Sequence, residues 1–276
     1  MTTPLLSMRL LDTGYCTVSE SAMLRGGERR AAQCHALVAL LRHPQHGWLL
    51  WDTGYAPRML GATMAWPYWI YRITTPLSIE RSRSVASQLL AMGVGPEEVR
   101  HVLISHFHGD HVAGLRDFPD ATVVATRAAY EDVAGRTGLA AIRRGYLPDL
   151  LPEGFERQSR LLLPFSGPPL PGLGPTFDLF DDGSVVLVGL PGHARGQIGA
   201  LVQTERGPVL LAADGCWLSR AYRERRPPPW YTAVMTDDFR AVCATIDGLH
   251  AFAQARPDVL IVPTHCPAIY EAYVAE

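Results

Sequence analysis

His106-Phe107-His108-Gly109-Asp110-His111 places three histidines and one aspartate within six residues. Imidazole and carboxylate together suit borderline divalent cations, zinc first among them, with iron or manganese also accepting such ligands. The residues just before it, His101-Val102-Leu103-Ile104-Ser105, are apolar and β-prone and predict a buried strand. The cluster therefore emerges where a strand gives way to a loop, held by the sheet behind it. Alternation along the loop can send His106 and His108 to one ion, and Asp110 and His111 to another.

Three further residues occupy similar junctions. His193 follows Gly189-Leu190-Pro191-Gly192, Asp214 follows Leu210-Leu211-Ala212-Ala213, and His265 follows Ile261-Val262-Pro263-Thr264. Each ends a short apolar run. Asp52, in Leu50-Trp51-Asp52-Thr53-Gly54, ends another and is placed to fix a ligand imidazole from behind.

This ordered set resembles the metallo-β-lactamase-fold superfamily: His-x-His-x-Asp-His, then His, Asp and His, with the early Asp-Thr-Gly turn. The resemblance runs from about residue 8 to residue 270. It implies an α/β fold, a four-layer αββα sandwich with the metals at one edge between two sheets. It also implies that His106, His108 and His193 hold one metal, that Asp110, His111 and His265 hold a second, and that Asp214 bridges them. Asp110 and Asp214 are then the catalytic candidates. Two metals sharing an ionised water can attack a carbonyl and stabilise the oxyanion, so the expected reaction is hydrolysis of an ester-like bond.

Within that superfamily the early Thr13-Gly14-Tyr15-Cys16 segment and the modest length are most similar to acyl-homoserine lactonases, making a lactone the leading substrate. Those lactonases carry a tyrosine three residues after the bridging aspartate, and here that position is Trp217. Its indole donates one hydrogen bond but exchanges no proton. Tyr222, Tyr231 or Tyr15 could take over. A thioesterase on acyl-CoA or acyl-carrier substrates fits the same ligands, as does an iron-dependent persulfide dioxygenase. The aspartate at position 214 disfavours a true β-lactamase, and the histidine at 108 disfavours a flavodiiron oxidoreductase.

Three irregular segments are candidates to shape a small-molecule pocket. Trp66-Pro67-Tyr68-Trp69-Ile70-Tyr71 concentrates aromatics in a connection, where Trp66 and Trp69 could line an acyl or aryl groove or a homodimer contact. Residues 164–175 are too rich in proline and glycine for regular structure and could form a lid. Arg223-Glu224-Arg225-Arg226 could clamp a carboxylate or phosphate through Arg225.

The rest of the chain limits the alternatives. Of 276 residues, 47% are hydrophobic and 19% charged, enough for a large core, and the net charge of −2 gives no basis for a nucleic-acid partner. All the basic residues are arginine, which excludes a lysine Schiff base. The five cysteines (Cys16, Cys34, Cys216, Cys243, Cys266) show no CxxC, so thiols in a reducing compartment are expected. No apolar run reaches the length of a membrane span and the first residues lack a secretory pattern, predicting a cytoplasmic protein. No linker or repeat interrupts residues 1–276, which read as one domain.

Local patterns predict several elements. Cys34–Arg42 and Gly47–Trp51 form a hairpin with His43 and His46 in its solvated turn. Helices cover Ser82–Met92 and Arg127–Val133, and Ala121–Ala125 forms a strand. Hairpins turn at Asp181-Asp182-Gly183 and at Glu205-Arg206-Gly207. An amphipathic helix spans Asp237–Ala255, with Val242, Ile246, Leu249 and Phe252 on one face and His250 partly exposed.

Overall fold

The computed structural model describes residues 2–275. Thirteen strands divide between two sheets. The first contains β1 (Ser7–Ser19), β2 (Ala31–His43), β3 (Gly47–Trp51), β4 (Leu77–Ser78), β5 (Val99–Leu103), β6 (Thr122–Thr126) and β7 (Ser159–Leu162). Its order is β4-β1-β2-β3-β5-β6-β7. The second contains β8 (Gly167–Leu170), β9 (Gly174–Asp178), β10 (Val185–Gly189), β11 (Ile198–Thr204), β12 (Gly207–Ala213) and β13 (Leu260–Pro263), in the order β13-β12-β11-β10-β9-β8.

Three hydrophobic clusters separate four layers. Along β2 the side chains alternate, as the two-residue period of a strand requires. Ala36, Val38 and Leu40 enter the cluster shared with Met59, Val85 and Leu89 of the helices outside the first sheet. Leu37, Ala39 and Leu41 face inward and meet Val185, Leu187, Val202 and Leu211 of the second sheet. On the far side, Val188, Leu201 and Leu210 pack against Val242, Ile246, Leu249 and Phe252 of the helix Phe239–Ala255. This is the αββα order.

That last helix begins where Asp238 accepts hydrogen bonds from the Arg240 and Ala241 amides at 2.8 and 3.1 Å, a cap contributing about 1 kcal/mol. His250 donates through Nδ1 to the Tyr222 carbonyl. The three expected hairpins, β2–β3, β9–β10 and β11–β12, all form. The helix expected over Ser82–Met92 is shorter, Val85–Ala91, because Ser84 caps it through the Ser87 amide.

Three sequence expectations fail. His43 is buried, not solvated: its turn packs against the Asp181-Asp182-Gly183 turn, where His43 meets Asp182 and Ser184 and His46 stacks on Phe180. Residues 164–175 form β8 and the start of β9 at the outer edge of the second sheet, with Gly172 against the carbonyl of Gly248, so they are a sheet edge and not a lid. The aromatic connection is partly regular, since Trp69–Thr74 is helical. In the first two cases a long-range neighbour supplies the partner that local composition could not reveal.

The ends of β3, β5, β10, β12 and β13 lie at one edge. β3 is parallel to β5 and β12 to β13, while β10 reaches the direction of β12 through two antiparallel pairings. Backbone bonds lace the sheets there: the Ile198 amide donates to the Ser105 carbonyl at 3.1 Å and the Leu37 amide to the Thr264 carbonyl at 3.4 Å. No helix among the described residues is long and apolar enough to cross a membrane.

Candidate metal centre

Asp52, His106, His108, Asp110, His111, His193, Asp214 and His265 all leave the sandwich at this edge, and all but His108 are buried. The backbone is strained where two of them depart. Asp52 has φ 60° and Ala213, directly before Asp214, has φ 44°. Aspartate tolerates that region; for alanine it costs on the order of 1 kcal/mol.

The imidazoles are oriented from behind. Ser105 Oγ donates to Asp52 Oδ2 at 2.8 Å and lies 3.0 Å from His106 Nδ1, while Asp52 Oδ2 lies 2.8 Å from His111 Nδ1. His265 Nδ1 donates to the His35 carbonyl at 2.7 Å. Each acceptor fixes a proton on Nδ1 and turns Nε2 toward the centre. Accordingly His106 Nε2, His111 Nε2 and Asp214 Oδ1 are buried with no hydrogen-bond partner among the described residues. Such atoms are costly unless a cation meets them.

The inward atoms form two sets. In one, His108 Nδ1 and His193 Nε2 stand 2.9 Å apart, and Asp214 Oδ2 is 3.1 Å from His193 Nε2. His106 joins the two histidines, the three offering ligand atoms within 4.8 Å of one another, and it also groups with His111 and Asp214. In the other, Asp214 Oδ1 is 3.2 Å from His265 Nε2 and 3.5 Å from His111 Nε2, and Asp110 Oδ2 is 3.4 Å from His265 Nε2. Both spacings suit donors converging on a cation at about 2 Å from each.

Charge follows this division. Burial, with His193 adding to it, pushes His108 down to about 3, and burial does the same to His106. Burial opposes protonation of His265 too, but Asp214 and Asp110 outweigh it and raise this histidine to about 9. Asp52, Asp110 and Asp214 likewise hold His111 well above its usual value against burial. Burial works against the Asp110 carboxylate, yet His111 and His265 hold it below the usual range.

Two neighbours were not named from the sequence. Ser105 is the link between Asp52 and His106. Tyr71, buried in the aromatic segment, donates from its hydroxyl to Asp110 Oδ1 at 3.2 Å; the aromatic density signalled the segment but not which ring would turn inward. Burial first, then Asp110, raises the Tyr71 phenol and keeps it protonated.

The substrate candidates scatter. Trp217 is at the centre, its Nε1 donating to Asp214 Oδ2 at 3.1 Å and its ring edge-on to His193. Trp66 and Trp69 are exposed, 5.5 Å apart between ring centroids, ahead of Tyr71 in the chain. Arg225 pairs with Asp247 at 2.8 Å on the solvent side of the long helix. Tyr222 is buried beneath that helix, and Tyr231 donates to the Ser21 carbonyl. Arg225 and Arg226 are thus committed to partners of their own rather than to the donor sets, and Arg223 lies over the Tyr222 ring.

One more histidine–aspartate group, His43, His46 and Asp182, has its donor atoms within 4.8 Å. It does not fit a metal. His43 Nδ1 accepts from the Gln45 and His46 amides, so the ring proton sits on Nε2 and occupies the nitrogen that faces Asp182.

The comparisons agree with this architecture. A solved N-acyl homoserine lactone hydrolase, with the product N-hexanoyl-L-homoserine at its catalytic metal centre, matches the fold with a TM-score of 0.75 at 16% identity, over 99% of this chain and 97% of that one. The N-acyl homoserine lactonase AttM of Rhizobium johnstonii is 28% identical over 196 residues, 71% of this chain and 68% of that protein. The probable metallo-hydrolase Rv2300c of Mycobacterium tuberculosis is 27% identical over 262 residues, 87% of this chain and 77% of that protein. The model of the metallo-beta-lactamase superfamily matches residues 32–215, a span that enters at β2 and ends just past Asp214. His265 lies beyond it and is brought in by β13. With more than half of the chain matched, and His106, His108, Asp110, His111, His193 and Asp214 of that span gathered at one sheet edge, the chain belongs to the metallo-beta-lactamase superfamily.

Proposed function

We propose that this metallohydrolase holds two divalent ions, zinc foremost, and opens the ring of an N-acyl homoserine lactone. The observation that carries the two-ion reading is the division of Asp214: Oδ2 faces His193 and Oδ1 faces His265 and His111. On this reading His106, His108 and His193 hold one ion, Asp110, His111 and His265 the other, and Asp214 both. Two ions so held supply an ionised water near neutral pH and a Lewis acid for the scissile carbonyl.

The side chains do the rest. Asp110 is held ionised and, fixed by Tyr71, accepts a proton from the attacking water and returns it to the leaving alkoxide. Trp217 keeps Asp214 aimed between the two sets. The lactone substrate is supported by the lactonases among the relatives and by the exposed Trp66 and Trp69, which offer apolar surface to an acyl chain.

The test is metal content per chain measured alongside hydrolysis of lactones of short and long acyl chain. Two ions per chain with ring opening is the expected result. A single iron with oxygen consumption, or no ring opening by the metal-loaded protein, overturns the reading. His108→Ala is expected to lose both metal and turnover.

A further inference from the structure

A small cleft of about 20 Å3, open to solvent, lies against His108 and His193 and is lined in part by Arg143, Arg144 and Arg195 together with Asp132 and Asp237. Its carboxylates are already neutralised. Arg144 reaches Asp132 at 3.1 Å and Asp237 at 2.6 Å, and Asp132 also meets Arg136 at 3.3 Å. Arg143 and Arg195 have no ion pair or side-chain hydrogen bond among the described residues. The cleft is therefore bordered by two exposed arginines without an ion pair, Arg143 and Arg195, beside one donor set.

Their placement is tied to that set by the backbone. Arg143 stands two residues before Gly145, whose carbonyl accepts from the Gly109 amide at 3.0 Å. Gly145 has φ 59°, and a Cβ there would come within 2.7 Å of the His108 ring, so only glycine lets this turn lie against the imidazole. Arg195 follows His193 by two residues. The ion pairs of Arg144 join the turn to the segment leading into the long helix and hold the cleft's walls together.

We propose that Arg143 and Arg195 form a subsite for an anionic group, a carboxylate or a phosphate, carried by the acyl substrate. The inference rests on the metal-dependent hydrolytic reading above and not on its neutral lactone: it favours acyl compounds bearing a negative charge near the scissile bond. Guanidinium groups recognise both kinds of oxyanion through paired N–H donors, and flanking a cationic centre they also steer an anion toward it.

The experiment compares the metal-loaded enzyme on a neutral lactone or thioester and on counterparts of matched size bearing a carboxylate or a phosphate. Binding of the unreactive amide analogues is measured in parallel by calorimetry. The expected result is at least ~10-fold higher kcat/KM for one anionic series, diminished by added salt, with tighter binding of the matching amide. Arg143→Gln combined with Arg195→Gln removes this preference and leaves the neutral substrate within about twofold. Arg225→Gln, paired with Asp247 outside the cleft, leaves the preference intact. Equal kcat/KM and equal amide binding for neutral and anionic compounds, or a preference that survives the double substitution, overturns the proposal. Amide binding that depends on Arg143 and Arg195 without hydrolysis of any substrate overturns the hydrolytic reading and retains the anion subsite.

Discussion

The indole of Trp217 donates to Asp214 Oδ2 over 3.1 Å, which commits its single N–H to the aspartate shared by both donor sets. Trp217 thereby acts on the carboxylate, whereas its sequence position suggested a contact with substrate. Trp217→Phe is expected to weaken metal affinity about 10-fold or more and to lower kcat in parallel, as loss of a group orienting a ligand does. Competition with a chromophoric chelator measures the first effect. A change in KM alone, with metal retention unaltered, would contradict this role.

Tyr71 restrains the other carboxylate. Tyr71→Phe removes the bond to Asp110 Oδ1 while filling the same buried space, so stability is expected to change by about 1 kcal/mol. The expected kinetic result is a kcat reduced roughly 10-fold by the freer carboxylate, with lactone KM within about twofold. Steady-state kinetics combined with thermal unfolding separates these effects.

Asp52 joins Ser105 to His111 and, at φ 60°, occupies a conformation that asparagine also tolerates. Asp52→Asn is expected to fold with a near-normal Tm but to lose about 10- to 100-fold in metal affinity, because one acceptor for the Ser105 and His111 donors is gone. Asp52→Ala additionally leaves the buried Ser105 amide unpaired, costing on the order of 1–3 kcal/mol. Unfolding midpoints and metal titrations of the two variants should diverge accordingly.

Loading with metal should release protons unequally. His265, raised to about 9 in the metal-free protein, carries a proton at neutral pH that an incoming ion displaces. The sign follows: affinity at the set containing His265 rises with pH up to about 9 and falls as acid restores the proton. His108, held down to about 3, and His106, pushed down by burial, have no proton to lose at neutral pH, so the set containing them releases fewer protons on loading than the set containing His265. Calorimetry in buffers of different ionisation enthalpy counts the protons released by each ion; equal release from both would contradict the assignment.

The long helix supplies a stability test away from the site. Phe252 is fully buried in the cluster between this helix and the second sheet, and Phe252→Ala is expected to cost about 3–5 kcal/mol, read as a lowered denaturation midpoint.

The donor residues and several strands, turns and helices were legible in the sequence because they are written in short-range patterns, whereas the sandwich was what the family resemblance implied. The apolar run Cys34–Arg42, the three hairpin turns and the spacing of Val242, Ile246, Leu249 and Phe252 mark strands, turns and a buried helix face, but Ala36 to Leu41 are apolar throughout and only the structure assigns them to the two faces of β2. His106, His193, Asp214 and His265 each follow an apolar run, so the strand that carries them also announces them. What could not be read was every relationship set by a partner distant in the chain. His43 looked solvated until Asp182 and Ser184 came to it across 139 and 141 residues. Arg225 and Arg226 looked available for substrate until Asp247 and Glu224 paired with them.

The sequence by itself determined the candidate ligands, the hairpins and the amphipathic helix, since residue chemistry and hydrophobic period are properties of local segments; the layer order came from the resemblance to the superfamily. Only the tertiary structure decided that Asp214 faces both donor sets, that Tyr71 turns onto Asp110, and that Arg143 and Arg195 stand uncommitted beside His108 and His193. Those outcomes depend on where separate strand ends and loops meet in space, and the packing of two sheets sets that meeting point.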